Sequence, residues 1–147
     1  MPIFTTRTEC RRDRPRVIVI DSSALIAILR REPEADRFLE AIATADGCLL
    51  SSVSLLETSM VLSGRTGNAA SWSDLDALIA RASMQVVAQD AGLAEAAREA
   101  FVRYGKGRHP AALNLGDCAS YALAKTHSLP LLFKGSDFAK TDLTAAV

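Results

Sequence analysis

Residues 16–25 read Arg16-Val17-Ile18-Val19-Ile20-Asp21-Ser22-Ser23-Ala24-Leu25. The unbroken β-branched run Val17–Ile20 predicts a strand buried on both faces of a parallel sheet, since a strand with one wet face would alternate apolar and polar residues. Asp21 ends the run, and helix is expected over 23–31. Further along, helix is expected over 34–44, a second strand over 48–51 and a helix over 54–63. After a turn at 64–67 comes a helix over 68–81, with Leu75, Leu78 and Ile79 on one face. A third strand over 85–88, an alanine-rich helix over 92–104, a basic loop over 105–110, a helix over 115–127 and a fourth strand over 130–133 follow. The tail is expected to add a short fifth strand. Strands alternating with helices predict a three-layer α/β/α domain around a mainly parallel central sheet. Ligands of such sheets gather beyond the carboxyl ends of the strands, so the acids just after strands are the ones that matter.

The chain has 147 residues, the size of one domain. Residues 1–15 are polar, lack periodicity and end in Pro15; they read as a disordered leader or start-site artefact, with the domain over 16–147. A composition of 49% hydrophobic and 23% charged residues is that of an ordinary globular protein. The apolar runs at 24–29 and 129–133 fall well short of the roughly 18 residues that span a bilayer. With no secretory pattern either, a cytoplasmic location is expected. Cys10, Cys48 and Cys118 are odd in number and form no C-x-x-C pair, which fits reduced structural thiols better than a disulfide frame or zinc site. Seventeen basic and seventeen acidic residues cancel, so no global field steers the chain toward nucleic acid. Locally, Arg11, Arg12, Arg14 and Arg16 crowd the start, and Arg98, Arg103, Lys106, Arg108 and His109 crowd a later stretch. Each cluster reads either as phosphate contacts or as a solvated surface.

Four acids fall where the sheet would gather them. Asp21 follows the first strand, Glu57 lies in the helix after the second, Asp117 opens the helix over 115–127, and Asp137 follows the fourth strand. Each has an ordinary reading. Asp21 suits a helix N-cap, Ser54-x-x-Glu57 has the spacing of a capping box, Asn114 can cap the helix in which Asp117 favours the dipole, and Asp137 suits a turn. Carboxylates meeting without a cation repel and become protonated, so a cluster of them normally holds a hard, oxygen-seeking ion. Mg²⁺, with Mn²⁺ as an alternative, fits such donors better than zinc. His109 in the basic loop and His127 near a helix end offer no competing nucleophile, and metal-activated hydrolysis is the natural chemistry.

The ordered set of motifs resembles the PIN-domain ribonucleases, specifically the VapC-type toxins of type II toxin-antitoxin modules. The matching pieces are Val19-Ile20-Asp21-Ser22-Ser23-Ala24-Leu25, Leu55-Leu56-Glu57-Thr58, the run Leu113-Asn114-Leu115-Gly116-Asp117-Cys118 continuing to Ala124, and the run Leu131-Leu132-Phe133-Lys134-Gly135-Ser136-Asp137 continuing to Leu143. The leader before Arg16 is the one departure from the family pattern. The resemblance implies that Asp21 and Asp117 bind the principal Mg²⁺ while Glu57 and Asp137 complete the cluster, through water or a second ion. It implies an endoribonuclease that hydrolyses RNA phosphodiester bonds with metal-activated water and so inhibits translation and growth. A homodimer is also implied, bound by a small VapB-type antitoxin whose C-terminal segment sends an arginine into the acidic pocket. Ser23 and Asn114 are supporting candidates, by hydrogen bonding a ligand or by capping. Asp142 reads either as a fifth acid or as a salt-bridged surface acid. Arg103, Lys106 and Arg108 are candidates for the RNA backbone, and only 5% aromatic residues favour recognition of a structured RNA by shape over base stacking.

Competing enzymes fit less well. A haloacid-dehalogenase-like phosphatase needs a second acid two residues after Asp21, where Ser23 stands. A response-regulator receiver needs an acid pair there and a phosphorylatable aspartate ending a middle strand. No glycine-rich phosphate loop is present. A non-catalytic module that keeps the acids only to dock an antitoxin arginine is the remaining alternative.

Overall fold

The computed structural model of the chain describes residues 14–64 and 72–147. The expected leader up to residue 13, most of the turn at 64–67 and the start of the helix over 68–81 lie outside the described residues, as do Cys10, Arg11 and Arg12. Four parallel strands, β1 (Val17–Ile20), β2 (Gly47–Ser51), β3 (Gln85–Val87) and β4 (Leu131–Leu132), form one sheet in the order β3-β2-β1-β4. The helices are α1 (Ser22–Leu29), α2 (Ala35–Thr44), α3 (Ser52–Ser63), α4 (Trp72–Arg81), α5 (Ala91–Tyr104) and α6 (Leu115–His127). This is the three-layer α/β/α architecture the strand–helix alternation predicts.

β1 is the pivot. Ile18, Val19 and Ile20 are fully buried, and the pleat sends them to opposite faces. Ile18 and Ile20 join Cys48, Leu50 and Leu132 in a core closed by Phe38 of α2 and Leu75 of α4. Val19 and Leu131 join a second core with Leu93 and Tyr104 of α5 and Tyr121 and Leu123 of α6. The chain adds β2 and β3 on one side of β1 and then crosses to place β4 on the other. This reversal makes the carboxyl ends of β1 and β4 the switch point of the sheet. Asp21 N–H donates to the Leu132 carbonyl at 2.9 Å, tying the two strand ends together there.

Several boundaries differ from the expected ones. α1 stops at Leu29 because Arg31 turns left-handed (φ 53°) and Glu32 N–H caps back onto the Ala27 carbonyl. α3 starts at Ser52, with the Ser51 hydroxyl accepting from Val53 N–H, so Ser54 lies inside the helix and the Ser54–Glu57 capping box does not form. The tail forms a single parallel bridge, Leu131 to Ala145, in place of a fifth strand. Arg16 belongs to the fold: its backbone N–H donates to Asp46 and its guanidinium to the Ala146 carbonyl. Cys48 and Cys118 are free and buried, and burial pushes both thiols up, Cys118 to about 11. No helix among the described residues is long and apolar enough to cross a membrane.

Candidate active site

Asp21 is the residue the fold holds most tightly. It is only 2% exposed, and three donors reach its carboxylate. Oδ2 accepts from Ser23 N–H at 3.0 Å and from the Ser23 hydroxyl at 2.6 Å. Oδ1 accepts from the Ser120 hydroxyl, on α6, at 2.5 Å. Asp21 is therefore the N-cap of α1, as one reading of the sequence allows, and is also wired to another layer of the protein. Ser23 is fixed in turn by Lys134 N–H, which donates to its hydroxyl at 3.0 Å from the loop after β4.

Glu57 faces Asp21's neighbour: the Ser22 hydroxyl donates to its Oε1. Its carboxyl lies against Gly116, where any Cβ would collide with it, so the glycine leaves the Glu57 side chain the place it takes beside α6. Asp117 follows Gly116 and completes a reciprocal capping box. Its backbone N–H donates to Asn114 Oδ1 at 2.9 Å, and its Oδ2 accepts from Asn114 N–H at 3.0 Å. Asp137 is exposed at the start of a short 3₁₀ turn, Phe138–Lys140, and makes no side-chain cap.

The four acids share one electrostatic environment. Burial pushes the Asp117 carboxyl up to about 6; the Asn114 backbone bond opposes this, and the charges of Asp21, Glu57 and Asp137 add to it. The cap and the burial thus pull Asp117 in opposite directions; burial is the larger effect, and three like charges add to it. None of the four acids forms an ion pair among the described residues. The Lys134 ammonium, in the same region, is instead taken by Glu32 and by Glu34 at 3.3 Å.

The donor set suits a hard cation: carboxylate oxygens with a hydroxyl shell and, among the described residues, no hydrogen bond from a histidine or thiol. Among the described residues no three acidic, histidine or cysteine side chains are drawn together as a finished cage. Mg²⁺ needs only one or two carboxylates because it retains water ligands.

Other candidates lie elsewhere. Asp142 is not part of the cluster. Its carboxylate accepts from the Tyr121 hydroxyl at 2.6 Å and pairs with Lys125 at 2.9 Å and Arg103 at 3.6 Å. These partners, Tyr121 first, hold it down at about 2, while burial and then the bond to Asp142 push the Tyr121 phenol up. Lys125 is eight residues beyond Asp117 on α6, roughly 12 Å along the axis. Arg103 is therefore committed to this second cluster, with its guanidinium 4.9 Å from the centre of the Tyr104 ring. Arg108 stacks over Phe101 at 5.5 Å, Lys106 is exposed, and His109 Nδ1 accepts from Ala111 N–H at 3.0 Å. Sequence reasoning missed Ser22, Ser54, Gly116 and Ser120. A serine near a helix start carries no signal that distinguishes a cap from a carboxylate partner two layers away.

The comparisons place the family and the fold. A PIN domain profile matches residues 18–143. A protein named Ribonuclease VapC from Mycolicibacterium smegmatis is 51% identical over 128 residues, covering 87% of this chain and 98% of the relative. Among solved structures, Mycobacterium tuberculosis VapC20, described as a Sarcin-Ricin loop cleaving toxin, superposes with a TM-score of 0.70 at 20% identity, covering 86% of this chain and 96% of that one. VapBC2 from Rickettsia felis, bound to a DNA fragment from its promoter, superposes with a TM-score of 0.68 at 15% identity over 88% of this chain and 96% of that one. The chain belongs to the PIN-domain family, and within it to the VapC ribonucleases.

Proposed function

We propose that this protein is a Mg²⁺-dependent endoribonuclease and the toxin of a toxin-antitoxin module, cutting RNA phosphodiester bonds in the cytoplasm and thereby halting translation and growth. The observation that supports the reading is that Asp21, beyond the end of β1, is bonded by Ser120 of the helix that carries Asp117, while Glu57 lies against Gly116 of that same helix. Asp21 and Asp117 would hold the principal ion, with Glu57 and Asp137 completing the set through water or a second ion; Mn²⁺ could replace Mg²⁺. Bound there, the ion supplies activation of the attacking water and neutralisation of charge on the scissile phosphate.

The protein's own part is placement. Ser23 and Ser120 fix both oxygens of Asp21, Ser22 fixes Glu57, and the Asn114 box fixes Asp117. This spares the reorganisation that loose ligands would require. With the acids neutralised by a cation, the pocket attracts phosphate instead of repelling it. Lys106 and Arg108 remain available for the flanking backbone, whereas Arg103 would have to leave Asp142 to reach it. Shape, not stacking, would select the RNA.

A VapB-type antitoxin is supported by the assembly in which the Rickettsia felis neighbour was solved. An arginine fork placed across two of the carboxylates would mimic the cation. A homodimer is supported by an exposed apolar surface beside Glu57, made by Leu56, Met60 and Leu115. The deciding experiment is cleavage of total RNA with Mg²⁺ and with EDTA, using Asp21→Asn and Asp117→Asn as folded controls. Metal-independent cleavage, or full activity in either variant, would end the reading, and Mg²⁺ binding that survives saturating antitoxin would end the occlusion part of it.

A further inference from the structure

We infer that Ser120, backed by Ser54, is a positioning residue that aims the Asp21 carboxylate at the cation and sets the affinity of the site for it. The inference rests on the metal-dependent reading proposed above.

Three helices meet beneath the acids. α3 carries Ser54 one turn before Glu57, and α6 carries Ser120 one turn after Asp117, so each acid-bearing helix presents a hydroxyl on the same face as its acid. Those two hydroxyls meet at 3.1 Å, and Ser120 continues to Asp21 at 2.5 Å. Ser54 and Ser120 are fully buried. The direction of the chain follows from counting protons. An ionised Asp21 can only accept, so the single Ser120 proton goes to Oδ1, and Ser54 must donate to the Ser120 oxygen. A chain polarised in one direction strengthens its terminal bond, here the one that ends on the carboxylate.

The consequence is geometric. Ser23 holds only Oδ2, so without Ser120 the other oxygen would have no donor and the carboxylate would be anchored from one side alone. Ser120 holds that oxygen and anchors the carboxylate from a second side, and it does so from the helix that carries Asp117. The same hydroxyl pair spaces α3 from α6 at the level where Gly116 lets Glu57 through. Ser120 thus shares with Ser23 the orientation of Asp21, and its bond to Ser54 ties together the two helices that carry Glu57 and Asp117. Groups that orient a ligand in this way typically change metal affinity or activity about 10- to 100-fold when removed.

The test compares Ser120→Ala, Ser54→Ala and Ser120→Thr with the wild-type full chain. Mg²⁺ and Mn²⁺ dissociation constants are measured by calorimetry without RNA, alongside melting in EDTA and the Mg²⁺ dependence of cleavage. Ser120→Ala is expected to weaken Mg²⁺ binding by about 10- to 100-fold and to shift the Mg²⁺ midpoint of cleavage more than its plateau. Ser54→Ala, which leaves the Asp21 bond in place, should show a smaller loss, and Ser120→Thr, which keeps the hydroxyl, should recover affinity. If Ser120→Ala melts lower than wild type but binds Mg²⁺ equally well, the serines only fill the core and the inference is overturned. Should Ser120→Ala fail to fold, unchanged Mg²⁺ affinity in Ser54→Ala overturns it instead. A wild-type chain that binds no Mg²⁺ would sink the metal-dependent reading itself, a result distinct from either.

Discussion

Replacing Asp117 by asparagine removes one charge from a crowded site and keeps nearly everything else. The asparagine carbonyl can still accept the Asn114 N–H that Asp117 Oδ2 accepts at 3.0 Å, so the start of α6 stays capped. What changes is the penalty for carrying a charge there. The carboxyl is pushed from 3.8 to about 6, first by burial and then by Asp21, Glu57 and Asp137. Below pH 3.8 folded and unfolded chains both hold the proton and the group is neutral in the balance. As pH rises through 6 the folded chain must give up a proton it holds more tightly than the unfolded chain does, and stability falls. Two units correspond to about 3 kcal/mol at most, and screening of a carboxyl that is part exposed brings this to about 1–2 kcal/mol. In EDTA at about pH 7.5, where the penalty is complete, Asp117→Asn should therefore melt higher than wild type by roughly 2–8 °C for a domain of this size. The gap should close near pH 4. Mg²⁺ should invert the order: an ion at a hundredfold excess over its dissociation constant adds about 2.7 kcal/mol to the chain that binds it, and the variant should gain much less. Circular-dichroism melts of both chains at the two pH values, with and without Mg²⁺, make the comparison. A variant that melts lower in EDTA would mean that the carboxylate's favourable position at the helix N-terminus outweighs the repulsion. Equal stabilisation of both chains by Mg²⁺ would refute Asp117 as a ligand.

Gly116→Ala places a methyl group against the Glu57 carboxyl; it should cut cleavage by about a hundredfold, whereas Gly92→Ala, whose Cβ would meet only Asp90 at 3.6 Å, should not. Equal activities would show that Glu57 need not lie where Gly116 allows it. Asp142→Asn should lower the melting temperature at neutral pH by an amount equivalent to at most about 1 kcal/mol, given its exposure, with cleavage per folded molecule unchanged. Because Tyr121 and Lys125 depress this carboxyl to about 2, its contribution is present above 3.8 and lost as pH falls through 2. Abolished cleavage at an unchanged melting temperature would put Asp142 back among the catalytic acids.

What the sequence reveals of this molecule depends on how far apart the interacting residues lie in the chain. β1 is legible because three successive fully buried residues leave no alternation to read, and Asp21, Glu57, Asp117 and Asp137 are legible by their positions relative to strands. The partners of those acids are not. Ser120 stands 99 residues from Asp21, and Ser22 stands 35 from Glu57; the crossover through α6 that puts β4 beside β1 brings the first pair together, and the pairing of β2 with β1 the second. The start of α3 was ambiguous for a local reason: Ser51, Ser52 and Ser54 all offer capping hydroxyls, and the length of β2 selects Ser51, which frees Ser54 for the core. Asp142 misleads for the opposite reason. It follows Asp137 closely in sequence, yet Tyr121 and Lys125, four residues apart on one face of α6, capture it. Cap and ligand, posed as alternatives for Asp21 and Asp117, make the same structural demand, a carboxylate held at a helix N-terminus beside the ends of the strands. Asp21 and Asp117 meet the first role in full, and burial among like charges, which no cap requires, is what distinguishes the second.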